Sequence, residues 1–219
     1  MQRHRGGRHF LAPVRSRVKT IADRSGLRQR LRELRTRMSA RERALAAAAL
    51  AATLEQLPEF LVDSRIAGYW AVRGEMPLHA AFASARSRAQ TWCLPILGDS
   101  GTLRFAPWQT GDALAGNRFG IPEPDVSPAM QIAATDMDVV LVPLVGFDRC
   151  GNRLGSGGGW YDRSFAFLRE AGHRPARPLL VGIGYHFQEV AKLDAESWDV
   201  RMDFIATDKE LIDCAESNA

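Results

Sequence analysis

The first part of the chain shows apolar residues at helical spacing. The positions that recur at this spacing are Leu27, Leu31 and Leu34. With arginines between them, they predict a basic helix that begins near Asp23. Ser39 and Glu42 match a capping box, in which the two side chains satisfy backbone N–H groups at a helix start. A second helix, rich in Ala and Leu, is therefore predicted to run to about residue 57, where Pro58 ends it.

From residue 65 onward, strand-like runs alternate with helical ones. The predicted strands span 65–72, 91–97, 103–108, 138–145, 179–185 and 204–206, and the predicted helices span 78–88 and 160–171, with one short helix in the tail. The run 138–145 is continuously apolar, as expected at the centre of a parallel sheet. Residues 109–128 are rich in Gly and Pro and predict an ordered loop. This pattern predicts an α/β fold: a single three-layer domain with a mainly parallel central sheet flanked by helices and preceded by an N-terminal helical segment.

Length and composition agree with one globular domain. The chain has 219 residues, of which 46% are hydrophobic and 25% charged, the balance of a protein that folds around one core. Its longest apolar run, at 139–147, is far shorter than the roughly 20 residues of a membrane span. The three cysteines are widely spaced and odd in number, which argues against a disulfide framework and a zinc ribbon. We therefore expect a cytoplasmic protein with no membrane partner and no signal peptide.

Positive charge is concentrated at the head of the chain. Residues 1–45 contain fourteen Lys or Arg and three Asp or Glu, whereas residues 46–219 contain fifteen and twenty-two. Such a segment attracts nucleic acid, acidic lipid or a polyphosphate ligand, and composition does not choose among them. Residues 1–22 show no apolar periodicity, so we interpret them as a basic, mobile leader before a single domain at 23–219.

The most informative segment is a glycine-rich loop at 154–162, which reads LGSGGGWYD and lies between a predicted strand and a predicted helix. Glycines let backbone N–H groups approach phosphate oxygens closely, and a helix start adds partial positive charge. Asp162 follows within one turn, and a carboxylate beside a phosphate is a natural Mg²⁺ ligand. The loop lacks the Gly-Lys-Ser/Thr of a Walker loop. Trp160 excludes a dinucleotide fingerprint and Leu154 excludes a nucleophile elbow.

A longer run around this loop carries a family resemblance. The sequence VPLVGFDRCGNRLGSGGGWYDR at 142–163 closely resembles the signature of 5-formyltetrahydrofolate cyclo-ligases, also called methenyltetrahydrofolate synthetases. The family pattern is roughly P-G/L-x-x-F-D-x-x-G-x-R-L-G-x-G-x-G-Y-Y-D. Further segments that resemble family elements are the helical region 27–43, GYWAVRGE at 68–75, FGIPEP at 119–124 and DVRMD at 199–203. The resemblance covers about residues 24–207.

The resemblance implies an enzyme that uses ATP and Mg²⁺ to close 5-formyltetrahydrofolate into 5,10-methenyltetrahydrofolate, with release of ADP and phosphate. ATP phosphorylates the formyl oxygen, N10 of the folate attacks, and phosphate leaves. The protein then has to align two substrates and screen phosphate charge, and it needs no nucleophile of its own. The implied partners are two small molecules, ATP and a reduced folate, and we expect a monomer.

The resemblance also implies roles for individual residues. Those implied to bind ATP are Arg24, Arg28, Arg153, Leu154, Gly155, Ser156, Gly157, Gly158, Gly159, Trp160 and Tyr161. Those implied to bind the folate are Tyr69, Trp70, Glu75 and Tyr185, and those implied to hold Mg²⁺ are Asp162 and Asp199. The other arginines of the first helix, interpreted mostly as a solvated basic face, are Arg30, Arg32, Arg35 and Arg37. His186 is interpreted as structural or solvated.

Four positions depart from the family pattern, among them Gly158, where some members have lysine, and Trp160, which replaces a tyrosine. Arg24 stands where the family has lysine, and an arginine fork binds phosphate differently from an ammonium group. Ser156 stands where many members have arginine, so one phosphate-directed charge is missing. Two alternative hypotheses remain: a nucleic-acid-associated protein that uses residues 1–45 as a basic arm, and a non-catalytic relative that binds a folate or nucleotide. The basic segment shows no aromatic interleaving and no known RNA- or DNA-binding motif, which argues against the first alternative.

Overall fold

The computed structural model describes residues 14–18, 21–170 and 177–215. Its helices are α1 (Ile21–Arg37), α2 (Ala40–Leu54), α3 (Pro58–Val62), α4 (His79–Ser87), α5 (Trp160–Ser164) and α6 (Phe167–Glu170). Its strands are β1 (Val14–Val18), β2 (Arg65–Ala67), β3 (Thr91–Leu97), β4 (Leu103–Pro107), β5 (Leu114–Gly116), β6 (Pro122–Pro124), β7 (Val139–Pro143), β8 (Gly146–Phe147), β9 (Arg153–Leu154), β10 (Leu179–Ile183), β11 (Val190–Leu193), β12 (Phe204–Ala206) and β13 (Leu211–Asp213).

Seven strands form the central sheet, in the order β13-β12-β10-β7-β2-β3-β4. The five inner strands run parallel, and the edge strands β13 and β4 pair antiparallel with their neighbours. β7 lies at the centre, which explains its uninterrupted apolar sequence because both of its faces are covered. The predicted α/β fold with a mainly parallel sheet is confirmed.

Side chains of the strands alternate between two hydrophobic layers. Val139 and Leu141 of β7 join one cluster with the buried faces of α2 and α4. Val140 and Val142 join a second cluster on the opposite face, with Phe165 between α5 and α6. Helices therefore cover both faces, as the three-layer prediction requires.

Helix α1 packs on a third, smaller cluster at one end of the sheet. Leu27 and Leu31 are buried there against Val145, Leu154 and the strand β11. Because β9 ends at Leu154, this packing places α1 directly beside the start of the glycine-rich loop. The capping box predicted at the start of α2 is also present, with Ser39 N–H donating to the Glu42 carboxylate at 2.7 Å.

Two predicted elements are shorter than expected. The strand predicted at 65–72 ends at Ala67, and the chain that follows turns into the core, where Tyr69 donates its hydroxyl to the Met76 carbonyl at 2.8 Å. The helix predicted at 160–171 is divided into α5 and α6, and the Leu103 N–H, which donates to Ser164 Oγ, ties the end of α5 to β4. The part of that prediction at residue 171 lies outside the described residues.

Strand pairing replaces two other predictions. The loop predicted at 109–128 contains the hairpin of β5 and β6. The tail has a 3-10 turn at His186–Gln188 and the strand β11 where a short helix was predicted, and β13 adds an unpredicted edge to the sheet. Each strand of the β5–β6 and β12–β13 hairpins has only three residues, which is too short to show a clear alternating pattern in the sequence.

The predicted leader contains one strand among its described residues. β1 pairs in parallel with β11, whereas residues 1–13 and 19–20 lie outside the described part of the chain. The boundary at residue 22 therefore stays a prediction. Within the described residues, none of the helices combines the length and apolar character that crossing a membrane requires.

Candidate active site

A cavity of about 590 Å³ lies at the carboxyl ends of the parallel strands. Tyr69 and Trp70 follow β2, Pro95 lies in β3, and Pro143 ends β7, and all four line this cavity. Ligand sites of open α/β sheets occur at this edge. The α1 helix and the glycine-rich loop close one side, and the β5–β6 hairpin closes the other.

The glycine-rich loop is held in place from its first residues. The buried Asp148 carboxylate accepts backbone N–H bonds from Cys150, Asn152 and Leu193, which fixes the turn between β8 and β9. Beyond β9 the loop passes through exposed glycines, and a positive φ of 65° at Gly159 starts α5. Because α5 has only five residues, its dipole contributes less positive charge than the predicted long helix would.

Arginines from α1 supply the positive charge around this loop. Arg28 Nε donates to the Gly155 carbonyl at 3.0 Å, and Arg32 donates to the Ser156 carbonyl at 3.0 Å. Burial, with the neighbouring charges of Arg24 and Arg32, lowers the pKa of Arg28. A group of cations that repel one another in this way favours an anion between them. The predicted ATP-side residues other than Leu154 all line the cavity together.

Two arginines of α1 are not solvated, which corrects the interpretation of the basic face. Arg32 is half-buried at the cavity, and Arg35 is only 2% exposed. Together with Arg24 and Arg28 they occupy positions spaced by four, four and three residues, which places them on one face of the helix. The exposed Arg30 and Arg37 agree with the solvated interpretation.

The two predicted metal ligands both line the cavity, and Val200, which follows Asp199, is bonded to Asp162. Asp162 Oδ1 accepts from Arg153 at 2.5 Å and from the Val200 N–H at 3.1 Å. Asp199 Oδ2 accepts from the Glu196 N–H at 3.0 Å and lies 3.5 Å from Arg24. Each carboxylate therefore keeps a second oxygen that accepts no hydrogen bond from the described residues. Mg²⁺ is usually held by one or two carboxylates together with phosphate and water, so this pair fits the ion.

Tyr69, Trp70 and Glu75, three of the residues predicted to bind the folate, line another part of the cavity. Trp70 packs edge-on against Trp108 with ring centroids 5.8 Å apart, and it remains 38% exposed. The Glu75 carboxylate accepts the Val72 N–H at 3.1 Å. Burial raises the pKa of Glu75, although the positive charges of Arg35 and other arginines oppose the shift. A carboxylate of this kind is a strong acceptor when a ligand brings N–H donors to it.

Two predicted site residues do not line the cavity. Leu154 is fully buried under α1, where it supports the loop without facing it. Tyr185 is also buried, and it stacks on Phe187 at 5.3 Å and donates its hydroxyl to the Glu75 carbonyl at 3.4 Å. Tyr185 therefore lies behind the folate-side wall rather than on its surface.

Several cavity residues were not predicted. They include Arg32, Arg35, Asn117, Phe119, Glu123 and Trp198. The spacing of the α1 arginines was a usable signal for the first two. Phe119 and Glu123 lie in the segment FGIPEP at 119–124, whose family resemblance was a usable signal, whereas Trp198, which is 59% exposed in the connection between β11 and β12, carried no local signal.

One further cluster of possible metal ligands lies outside this cavity. His186, Glu189 and Glu210 bring three ligand atoms within 4.8 Å of one another. The Arg149 guanidinium pairs with both carboxylates, at 3.0 Å and 2.6 Å, and so occupies the place of a cation. His186 is not among the residues that line the cavity, and its interpretation as structural or solvated stays a prediction.

Comparisons with known proteins identify relatives that match most of the chain. The model of the 5-formyltetrahydrofolate cyclo-ligase family matches residues 20–208. The chain is 30% identical over 179 residues to 5-formyltetrahydrofolate cyclo-ligase of Haemophilus influenzae, covering 81% of this chain and 93% of that protein. It is also 30% identical over 152 residues to 5-formyltetrahydrofolate cyclo-ligase of Escherichia coli K12, which covers 68% of this chain and 81% of that protein.

Two solved structures also superpose on most of this chain. The NMR structure of Aquifex aeolicus 5,10-methenyltetrahydrofolate synthetase superposes with a TM-score of 0.73 and 28% identity, covering 87% of this chain and 92% of that one. A 5,10-methenyltetrahydrofolate synthetase from Mycoplasma pneumoniae superposes with a TM-score of 0.65 at 23% identity, covering 85% and 99%, which supports the fold.

Proposed function

The chain belongs to the 5-formyltetrahydrofolate cyclo-ligase family, and we propose that it converts 5-formyltetrahydrofolate into 5,10-methenyltetrahydrofolate with ATP and Mg²⁺. We further propose that it acts in the cytoplasm, as a monomer, on these two small molecules alone. The observation that carries the proposal is the continuity of one cavity. The α1 arginines, the glycine-rich loop, the Asp162–Asp199 pair and the Glu75 turn all line it.

The phosphate half of the cavity would bind the ATP phosphates. Arg24, Arg28 and Arg32 line the cavity with cations, and the loop at 155–159, which is exposed or half-buried there, would offer backbone N–H groups. Mg²⁺, held by Asp162 and Asp199, would neutralise charge that develops on the phosphates. Arg153, buried and bonded to Asp162, would fix that carboxylate in its rotamer.

The folate half would orient the second substrate. Trp70 and Phe119 offer exposed aromatic surface for a flat ring, and Glu75 offers an acceptor for ring N–H groups. Burial raises the pKa of both Tyr69 and Tyr161, so these hydroxyls stay protonated and neutral. With both substrates held, the formyl oxygen would take the γ-phosphoryl group, N10 would attack the activated carbon, and phosphate would depart. Positioning and electrostatics supply the catalysis, without a covalent enzyme intermediate.

The test is a direct assay of ring closure. Purified protein is mixed with 5-formyltetrahydrofolate, ATP and Mg²⁺, and the ultraviolet absorbance of methenyltetrahydrofolate is followed together with ADP release. The expected result is an increase in absorbance that requires both ATP and Mg²⁺, with one ADP per product. No ATP-dependent turnover would overturn the proposal. Folate or nucleotide binding without turnover would identify the non-catalytic relative.

A further inference from the structure

Arg35 is a buried charge that the proposed reaction does not yet use. It is 2% exposed and lies in the last turn of α1. Its guanidinium donates to the Leu144 carbonyl and to the Arg73 carbonyl, each at 3.2 Å. Leu144 follows directly on β7, so one side chain joins three elements: α1, the end of the central strand and the turn around Arg73. A buried charge is costly, so these bonds have to compensate for lost hydration.

The turn that Arg35 holds is the one that presents Glu75. Glu75 N–H donates to the Val72 carbonyl at 3.0 Å, which closes a four-residue turn. Its two central residues, Arg73 and Gly74, have φ angles of 50° and 77°. Two successive left-handed residues are a conformation that arginine adopts unwillingly, so the turn needs external support. The hydrogen bond from Arg35 to the Arg73 carbonyl reaches the first of these two left-handed residues and can supply that support.

Arg35 also influences Glu75 electrostatically without pairing with it. Burial lowers the pKa of Arg35, and the Glu75 charge opposes that shift. For Glu75 the signs are reversed: burial raises its pKa, and the positive charge of Arg35 opposes that increase. No ion pair within 4.0 Å joins these two residues, whereas Asp162 is bound directly by Arg153. The Glu75 carboxylate thus stays open to a ligand, and Arg35 Nε has no partner in the described structure.

We propose that Arg35 is a positioning residue for the folate half of the site, which fixes the turn at 72–75 so that Glu75 presents its carboxylate to the ring N–H groups of the reduced folate. This role rests on the proposed function. It differs from the role of Arg24, Arg28 and Arg32, which face the phosphate half. The consequence is selective: loss of Arg35 weakens folate binding much more than ATP binding.

The test compares Arg35→Gln and Arg35→Lys with Arg30→Gln, an exposed position on the same helix. Dissociation constants for 5-formyltetrahydrofolate and for ATP with Mg²⁺ are measured separately by calorimetry, and folding is followed by thermal unfolding. For Arg35→Gln we expect folate affinity to fall roughly tenfold or more, the effect of losing a charged hydrogen bond, with ATP affinity nearly unchanged. Arg35→Lys keeps the charge but loses the fork, so it should recover only part of the affinity.

A second variant probes the same turn from the other side. Gly74→Ala places a methyl group at a positive φ and 3.2 Å from the Arg35 carbonyl, which strains the turn while keeping Arg35. It should reproduce the selective loss of folate affinity. This variant keeps the proposal testable if Arg35→Gln fails to fold. The proposal would be overturned if the variants lost folate affinity and ATP affinity equally. It would also be overturned if Arg35→Lys or Gly74→Ala bound folate as tightly as the wild type.

The pH dependence of folate binding gives an independent readout. The groups that face Glu75 are Arg32 and Arg35 from α1, Arg73 from its own turn, and the hydroxyls of Tyr69, Tyr161 and Tyr185. Removing the Arg35 charge should move the acidic limit of folate binding to higher pH, and Arg35→Lys should restore it. A purely structural role would lower affinity without moving this limit.

The outcomes also separate this proposal from the proposed function. If the wild-type protein binds reduced folate but does not turn it over, the reaction assignment fails while the selective effect of Arg35 on folate binding can still be measured. If it binds no reduced folate, both fail. If turnover and binding are normal and Arg35→Lys binds folate as wild type does, only the positioning role fails.

Discussion

The two halves of the cavity hold their carboxylates in different ways. In the phosphate half, Asp162 and Asp199 each lie against an arginine, at 2.5 Å and 3.5 Å. In the folate half, Glu75 accepts a backbone N–H and has arginines nearby, but none is within 4.0 Å among the described ion pairs. The first arrangement balances charge and suits an exchange of cations and phosphates. The second keeps one acceptor unused, which suits recognition of a neutral ring by its N–H groups.

The largest expected effect comes from breaking the phosphate half at Asp162. In Asp162→Asn the amide oxygen can still accept from Arg153 and Val200, so the local structure should survive. The second carboxylate oxygen is replaced by a donor, which cannot bind Mg²⁺. We expect turnover to fall by at least about 10²-fold, measured by the absorbance assay. Asp99→Asn, on an exposed turn, is the matched control. Full activity in the Asp162 variant would refute its role as a metal ligand.

The corresponding change in the folate half is Glu75→Gln. The glutamine oxygen can keep the bond from Val72, but the negative charge that attracts ring N–H groups is lost. Folate affinity should fall roughly tenfold to a hundredfold, while ATP affinity stays within about twofold. Calorimetry with each substrate alone measures both values. Glu33→Gln, exposed on α1, serves as the control. If both affinities fell together, the division of the cavity into two halves would be wrong.

How far the sequence predicts these halves depends on whether the signal is local. The capping box at Ser39, the buried strand at 139–143 and the glycine-rich loop all carry their information within a few residues, and all three are confirmed as structural elements. The turn at 72–75 begins where the strand predicted at 65–72 was expected to end, and the prediction did not include it. Arg35, nearly forty positions earlier, bonds to its backbone, and no local pattern indicates such a contact.

The same limit explains the misread arginines of α1. Their spacing places four of them on one face, but whether that face is solvated depends on where Leu27 and Leu31 pack. Those leucines are buried against Val145 and Leu154, which turns the arginine face into the cavity. Phe119 lies in the connection between β5 and β6, and this hairpin, which the loop prediction at 109–128 did not include, brings it to the cavity.

Adding a charge to the phosphate half tests its present balance. Ser156 is exposed on the loop, and the loop at 154–162 contains no Lys or Arg of its own. Ser156→Arg should lower the KM for ATP by about threefold to tenfold, with the KM for folate unchanged, because an arginine can bond to phosphate directly. Ser156→Gln, which is long but neutral, is the comparison. If the two variants behaved alike, the α1 arginines would already saturate the phosphates.

Glu75 should also affect the stability of the fold. Its replacement by glutamine should stabilise the protein, although the same change weakens folate binding. Burial raises its pKa in the folded protein above the unfolded value. The group therefore stabilises the fold below the unfolded pKa and loses that contribution as pH rises through the folded pKa. At neutral pH the buried charge of Glu75 destabilises the folded state, so Glu75→Gln should raise Tm by a few degrees. The difference should vanish near pH 4. A lower Tm of the variant at neutral pH would contradict this account.

The smallest effect is expected from the basic leader. Deleting residues 1–20 removes β1 and its pairing with β11, but it leaves α1, which begins at Ile21, and every described residue that lines the cavity. Turnover should therefore stay within about twofold of the full chain, whereas Tm should fall by a few degrees because the β11 edge loses its partner. Deleting residues 1–13 alone keeps β1 and is the matched control. A tenfold rise in the KM for ATP in either protein would mean that leader arginines act in the phosphate half together with α1.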